Sequence, residues 1–285
     1  MGFRTVVPPA KTLFLNTKSL TEEEMEPIYS QTYTVRNYEL GPHQAAHVRT
    51  LMYYLGEAAD SHFQKLGVSI HDLLEKGLLW VLVGYRIEIA RYPRAGETVT
   101  VNTWYPGRKE RFYLRDFEVL GADGNLIASA TTSWALIDAA KRRPVESEEG
   151  LPDMLVLDKR AVEGGIRHLP PVDFPQRSDS FVVGAGCLDM YSHVNHVFYI
   201  QWALDSVSPE VESGMLTVTP QPVSIEAVFK AEALAGDRLT VALQPGEEEG
   251  AWLHSIIREE DGMEITRLRT RWVKTKKGQE ISEKR

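Results

Sequence analysis

The sequence predicts an α+β fold in which one folding unit, a long helix packed on an antiparallel sheet, occurs twice in tandem. Two observations carry this prediction. A helical stripe of apolar residues is followed by four strand-like segments, and the same order of elements returns in the second half of the chain. Of the 285 residues, 43% are hydrophobic and 25% are charged, which suits a globular protein with sizeable cores.

The first unit is expected over residues 29–140, after an N-terminal arm at 1–28. A helix is predicted at 45–66, where apolar residues recur every three to four positions, with Gly67 as its stop. A short helix capped by Ser69 follows it. The strands are predicted at 29–38, 78–90, 99–105, 111–120 and 126–138, separated by turn residues.

The second unit is expected over residues 178–276, with a C-terminal tail at 277–285. Residues 141–177 contain five prolines and three glycines, so they are predicted to link the two units. The second helix is predicted at 194–206. Its strands are predicted at 181–184, 223–229, 238–243, 251–259 and 264–274.

Short matches between the halves indicate that the unit is duplicated. Ala95-Gly96-Glu97 recurs as Ala235-Gly236-Asp237, in the same place relative to the strands. Asp123-Gly124 followed by Trp134 recurs as Asp261-Gly262 followed by Trp272. In the predicted helices, Leu51-Met52-Tyr53-Tyr54 aligns with Tyr199-Ile200-Gln201-Trp202. Three matches in one order, each in an equivalent element, are the pattern that internal duplication produces.

The residues suited to acid–base chemistry occur in the second copy only. The segment Leu188-Asp189-Met190-Tyr191-Ser192-His193-Val194-Asn195-His196 places a carboxylate, an imidazole and an amide within seven residues. When the two copies are aligned, His193 lies opposite Ala45, Asp189 opposite Gly41 and Glu232 opposite Tyr92. We therefore expect the second copy to carry the chemistry and the first to form a wall of the pocket.

His193 is the natural group for proton transfer, because an unperturbed imidazole titrates near neutral pH. Asp189 or Asn195 could orient its ring. Glu232 follows an apolar strand, so its carboxylate is either paired, functional, or turned to solvent at the strand end. The first N–H groups of the helix predicted to start at 194 could stabilise an oxyanion.

Other function classes are less well supported. A metal site at Asp189, His193 and His196 lacks a further ligand cluster at zinc-like spacing, so no metal or other cofactor is expected. Cys187 could be a nucleophile, but a lone cysteine is more often a small buried hydrophobe. As the single cysteine it excludes an internal disulfide and favours a cytoplasmic location. The net charge of −8 argues against a general nucleic-acid binder, and no apolar run is long enough for a membrane span.

The segment at 188–196 resembles the Asp-x-Asn-x-His-Val-Asn-Asn signature of acyl-acyl carrier protein (acyl-ACP) thioesterases of plants and bacteria. The resemblance extends over residues 31–275 and includes residues 91–97 and 133–144. It implies a double hotdog fold, in which the two sheets pair edge to edge, and hydrolysis of acyl-ACP to a free fatty acid. By this resemblance Asp189, His193 and Glu232 are catalytic, and the partner is an acyl carrier protein.

Two positions depart from the family pattern. Tyr191 stands where the family has an asparagine between the Asp and the His, so a substrate-orienting role for Tyr191 and Asn195 stays open. Ala233 stands where the plant enzymes have a cysteine after the Glu, which suits a mechanism without a thiolate. An acyl-CoA thioesterase of the same fold and a non-catalytic acyl-chain binding protein are the alternatives.

Three further groups of residues complete the predictions for substrate and partners. The acyl chain is expected to contact Leu51, Met52, Leu55 and Trp80 of the first unit. An acidic carrier would need a basic face, and two candidates are the strand residues Arg267, Arg269 and Arg271 and the cluster Lys141, Arg142 and Arg143. Either could instead be an ordinary solvated face. Duplication makes an internal pseudo-dimer, so both a monomer and a homodimer are compatible with the sequence.

Overall fold

A computed structural model describes residues 26–41, 44–66, 70–145, 151, 154–212 and 221–273. Nearly all of the predicted N-terminal arm, the whole C-terminal tail, and the predicted stop and cap at Gly67 and Ser69 lie outside the described residues.

The first unit has the predicted order of elements. Two helices follow the first strand, α1 (Val48–Lys65) and the short α2 (Ile70–Glu75). Helix α1 begins later than predicted because Ala45 and Ala46 form isolated β-bridges with Arg94 and Leu40. The strands are β1 (Ile28–Thr34), β2 (Leu78–Ile89), β3 (Thr98–Trp104), β4 (Arg108–Lys109), β5 (Phe112–Gly121), β6 (Leu126–Asp138) and β7 (Arg143–Pro144).

The second unit repeats this order without the short elements. Its long helix is α3 (His196–Glu212), which starts two residues after the predicted position and runs further. Its strands are β8 (Arg177–Val182), β9 (Ser224–Phe229), β10 (Arg238–Pro245), β11 (Ala251–Arg258) and β12 (Glu264–Arg271).

The strands of both units join in one antiparallel sheet. The spatial order is β1-β3-β5-β6-β2 in the first unit and, read from the opposite end, β8-β10-β11-β12-β9 in the second. Each strand of the second unit therefore occupies the same position relative to the junction as its counterpart in the first unit. The units meet where β2 pairs with β9, from Gly84 opposite Val228 to Glu88 opposite Ser224. The predicted edge-to-edge pairing is thus confirmed.

A repeated hydrogen bond confirms the duplication at the level of side chains. The indole N–H of Trp134 donates to the hydroxyl of Thr132 at 2.8 Å. The indole N–H of Trp272 donates to the hydroxyl of Thr270 at 3.1 Å. Trp134 lies within β6 and Trp272 directly follows the equivalent strand β12, and each uses the threonine two residues before it.

Both long helices pack on one face of the sheet and contact each other. Helix α1 lies on β1 and β3, and α3 lies on β10, β11 and β12. The helices and the sheet share one continuous core, in which side chains such as Leu51, Ile200 and Ile225 are fully buried. Each such side chain stabilises the fold by roughly 1.5–3 kcal/mol relative to exposure.

The predicted linker crosses the outer face of the sheet and is fastened there by two buried carboxylates. Asp116 on β5 is 0% exposed and accepts hydrogen bonds from Arg160 Nε and the Ala161 N–H, both at 2.8 Å. Glu226 on β9 is 1% exposed and accepts from the Arg167 N–H at 2.5 Å. The linker therefore belongs to the folded body, beyond its predicted role as a connection.

We predict that Asp116→Ala lowers the free energy of unfolding by about 3 kcal/mol, because it removes the carboxylate that pairs Arg160 to the sheet. The matched control is Glu118→Ala, on the same strand. Glu118 pairs with Lys159 at the surface, so its loss should cost less than about 1 kcal/mol. Denaturant unfolding of both variants measures the difference, and equal losses would contradict the role given to Asp116.

Candidate active site

One backbone hydrogen bond brings the two halves of the predicted site together. The Val194 N–H donates to the Ala233 carbonyl at 3.0 Å, and the Ala233 N–H donates to the hydroxyl of Tyr199 at 2.9 Å. His193 and Glu232 directly precede the two bonded residues. Their side chains consequently face each other, with His193 Nε2 at 3.6 Å from Glu232 Oε2.

Asp189 shapes the loop that carries His193. Its Oδ1 accepts the N–H groups of Tyr191 at 2.8 Å and of His193 at 3.2 Å. The Asp189 N–H in turn donates to the His193 carbonyl at 2.8 Å, and Ser192 takes a left-handed conformation with φ of 65°. The carboxylate thus holds the backbone of the loop, whereas the sequence suggested contact with the imidazole ring.

The first copy repeats the hydrogen bond that closes this loop, with Gly41 and Ala45 in place of Asp189 and His193. The Gly41 N–H donates to the Ala45 carbonyl at 2.9 Å, and Gln44 has a φ of 55°. Tyr92, opposite Glu232 in the alignment, donates its hydroxyl to the Pro222 carbonyl at 2.6 Å. The backbone was kept in both copies, and the groups suited to acid–base chemistry stand in the second alone.

Asn195 caps helix α3, which differs from its predicted contact with His193. Its Oδ1 accepts the Val197 N–H at 3.1 Å, as expected of an asparagine at a helix start. Its own N–H donates to the Cys187 carbonyl at 2.9 Å. The N–H groups of residues 193 to 195 all have acceptors, so they are not the free oxyanion donors that the sequence suggested.

His193 and His196 differ in their surroundings. His196 faces the cavity between Tyr85 and Phe229, with ring centroids 6.0 Å away on each side. Burial lowers the pKa of His196 to about 4, so this imidazole is neutral at neutral pH. His193, beside a carboxylate at the cavity surface, is the histidine of the motif placed to exchange protons.

The geometry of the described residues does not favour the two alternatives to acid–base chemistry, a metal site and a cysteine nucleophile. Within the ranges that the structure describes, no three His, Cys, Asp or Glu side chains are grouped so that they could hold a metal ion. Cys187 is half-buried in the turn before the loop and is not among the described residues that line the cavity.

Arg142 was predicted as part of a basic docking cluster, but it reaches the site. It lies in the turn between β6 and β7 of the first unit, with a φ of 52°, and forms an ion pair with Glu232 Oε2. Lys141 pairs with Asp138 at 3.1 Å, while Arg143 is exposed. Sequence reasoning missed this contact because the two charges are far apart in the chain.

A cavity of about 800 Å³ opens at the His193–Glu232 pair. This volume lies within the range of small-molecule sites, about 300–1,000 Å³. The second unit contributes five polar residues to the lining, namely Asp189, Tyr191, His193, Lys230 and Glu232, and Arg142 of the first unit joins them. The first unit contributes most of the wall, including Phe63, Leu73, Trp80, Leu82, Phe112, Tyr113, Trp134 and Ile137.

The predicted contribution of α1 to this wall was partly wrong. Trp80 lines the cavity, but Leu51, Met52 and Leu55 are at most 1% exposed and belong to the core. The residues of α1 that line the cavity lie on a different face of the helix from Leu51, Met52 and Leu55. They are spaced three to four positions apart, as residues on one helix face are. They are Gly56, Ala59, Asp60 and Phe63.

The three arginines on β12 share one face as predicted, opposite the buried Leu268 and Thr270. Their charges are paired, however, with carboxylates of the sheet. Arg267 bonds Glu264 at 2.6 Å, Arg269 bonds Glu226 at 2.7 Å, and Arg271 lies 3.8 Å from Glu88. Each arginine of this row thus has a carboxylate neighbour, and docking of a carrier on this face stays a prediction.

Two family models cover most of the chain. One, described as the acyl-ACP thioesterase N-terminal domain, matches residues 26–154. The other, described as the acyl-ACP thioesterase C-terminal domain, matches residues 176–274. This chain belongs to the acyl-ACP thioesterase family.

Similar proteins include an acyl-[acyl-carrier-protein] hydrolase of Cuphea viscosissima chloroplasts, 28% identical over 86% of this chain and 62% of the relative. A chloroplastic oleoyl-acyl carrier protein thioesterase of Arabidopsis thaliana is 26% identical over 86% of this chain and 77% of the relative. The chain thus spans about three fifths of the length of the first of these relatives.

Solved structures show the same architecture. An acyl-ACP thioesterase of Bacteroides thetaiotaomicron matches with a TM-score of 0.76 at 22% identity, over 89% of this chain and all of that one. A 12:0-ACP thioesterase of Umbellularia californica matches with a TM-score of 0.76 at 20% identity, over 87% of this chain and 98% of that one. The fold is the tandem hotdog that the sequence predicts.

Among the described residues, no helix is long and apolar enough to cross a membrane.

Proposed function

We propose that this protein hydrolyses the thioester of acyl-ACP and releases a free fatty acid and the carrier. The observation that carries the proposal is the His193–Glu232 pair at the opening of a largely apolar cavity. Such a cavity suits an acyl chain, and the pair suits proton transfer at the thioester that ends it. The names of the plant relatives agree with this reaction.

The two side chains divide the proton transfers. Glu232 accepts a proton from a water molecule while the water oxygen attacks the thioester carbonyl carbon. When the carbon–sulfur bond breaks, the proton that Glu232 took up passes through His193 to the departing sulfur, which leaves both side chains as they began. The separation of 3.6 Å between Nε2 and Oε2 keeps both groups beside the same reacting carbon.

Tyr191 is the candidate donor for the oxyanion. Its hydroxyl is buried, and among the described residues it has no hydrogen-bonding partner, while its ring lines the cavity. Burial, followed by the negative charges of Asp60 and Asp189, raises the pKa of Tyr191, so the hydroxyl keeps its proton. The backbone N–H groups of residues 193 to 195 already have acceptors, so the free hydroxyl of Tyr191 is our candidate donor at this place.

The first test is hydrolysis of acyl-ACPs of several chain lengths beside the matching acyl-CoAs. We expect faster release from acyl-ACP, with loss of most turnover in His193→Ala because proton transfer typically contributes about 10²–10⁴-fold. Faster release from acyl-CoA would move the protein to the acyl-CoA thioesterases. Binding of acyl chains without turnover of either substrate would indicate a non-catalytic binding protein.

A second prediction concerns Tyr191. Tyr191→Phe should lower kcat by about 10²–10³-fold with little change in KM, because an oxyanion donor acts in the transition state. Tyr92→Phe is the control for loss of a tyrosine hydroxyl, since the Tyr92 hydroxyl donates to the Pro222 carbonyl and is not among the described groups that line the cavity. Steady-state kinetics on a small thioester measure both variants. An unchanged kcat in Tyr191→Phe would remove the hydroxyl from the mechanism.

A third prediction separates two roles for Arg142. If Arg142 positions Glu232, Arg142→Ala should lower kcat equally for acyl-ACP and for a small thioester, and Arg142→Lys should restore part of it. If it docks the carrier, only KM for acyl-ACP should rise. We expect the first pattern, with a loss of about tenfold for a partly exposed charged contact. The exposed neighbour Arg143→Ala is the control, and it should leave hydrolysis of the small thioester unchanged.

A further inference from the structure

A buried guanidinium stands in the part of the cavity that the first unit encloses. Arg115 on β5 is 2% exposed and lines the cavity, with its guanidinium 4.3 Å from the ring centroid of Phe63. Its Nη1 lies 3.0 Å from His62 Nδ1 and donates to the Thr103 hydroxyl at 3.3 Å. Its Nη2 is buried and has no hydrogen-bonding partner within the described part of the chain.

Arg115 forms no ion pair within the described part of the chain, and its nearest opposing charge is the Asp60 carboxylate in the same cavity wall. Burial lowers the pKa of Arg115 to about 10, so the group stays protonated at neutral pH. Burial, together with the charges of Arg115 and Lys65, lowers the pKa of His62 to about 3, so His62 is a neutral acceptor. Asp60 also lines the cavity, and its carboxylate favours the charged form of Arg115 without hydrogen-bonding to it. A buried charge without a partner is costly to the fold.

A second unpartnered donor lies close by. Trp80 lines the cavity, and its indole N–H is buried without a hydrogen-bonding partner among the residues described. Its ring stands 6.2 Å from the ring of Phe63, the side chain on which Arg115 lies. A guanidinium and an indole can only donate hydrogen bonds. A group that satisfies either donor is therefore an acceptor, and an acceptor on the bound molecule would serve.

We propose that this part of the cavity binds an oxygen substituent on the acyl chain, and that a carboxylate at the far end of the chain is the preferred form. A carboxylate would both accept the free N–H groups and neutralise Arg115 in an enclosed place. The substrates would then be thioesters of oxygen-bearing acyl chains, in preference to unsubstituted ones. The inference rests on the proposed function for the position of the thioester at His193.

The competing explanation is that Arg115 only closes the end of an ordinary acyl pocket. In that case an unsubstituted chain would be preferred, and the guanidinium would act through its size and its stacking on Phe63. The two explanations differ in the effect of an added oxygen on binding, so the test compares chains that differ in that oxygen alone.

The experiment measures binding by calorimetry of pantetheine amides, in which a stable amide replaces the thioester. Each amide carries either an unsubstituted acyl chain or the chain of equal length that ends in a carboxylate, over a series of lengths. We expect the carboxylate form to bind more tightly at one or more lengths. Arg115→Met should reduce this preference by about tenfold or more, the effect of one lost charge-assisted hydrogen bond.

Two tryptophan variants keep the test decisive if Arg115→Met does not fold. Trp80→Phe removes the free N–H and should reduce the preference for the carboxylate form. Trp134→Phe is the matched control, because its N–H already donates to Thr132 in the same cavity wall. The ratio between the two amides should be unchanged in this control.

Equal or tighter binding of the unsubstituted amide at every length would overturn the inference while leaving the proposed function intact. The same holds if Trp80→Phe and Arg115→Met change both amides equally. If neither amide binds the wild-type protein, the position of the acyl chain is wrong, and the proposed function fails together with the inference.

Discussion

The pairing of β2 with β9 is the interaction on which the site depends. It joins two units that would each present an open strand edge, and it makes one sheet of them. Because the units are fixed side by side, Arg142 of the first reaches Glu232 of the second. The wall of the cavity and the groups at its opening likewise come from different units.

The duplicated loop shows how the chemistry is separated from the scaffold. The same backbone hydrogen bond closes both loops, from Gly41 to Ala45 and from Asp189 to His193. The loop shape does not require a carboxylate, because the first copy forms it with a glycine. Asp189 adds bonds from its side chain to two N–H groups, which fixes the backbone beside His193 more firmly than in the other copy.

Much of this architecture could be predicted from the sequence, since apolar periodicity and the repeated turns define the helices, the strands and the duplication. The approach of His193 to Glu232 followed from comparing the copies. Periodicity, however, gives the apolar face of a helix without its neighbours, so Leu51 was taken for a cavity residue. The pairing of Arg269 with Glu226 and the reach of Arg142 depend on contacts between distant strands, which spacing along the chain does not encode.

The division of the cavity between two copies also bears on how such a protein can change. Substitutions in the wall fall on one half of the gene, and the proton-transferring pair is encoded by the other. The half that forms most of the cavity wall can therefore change while the His193–Glu232 pair is kept, provided that Arg142 and the pairing of β2 with β9 are retained. The first unit, which lacks the proton-transferring pair, is thus the part of the molecule most open to selection for new substrates.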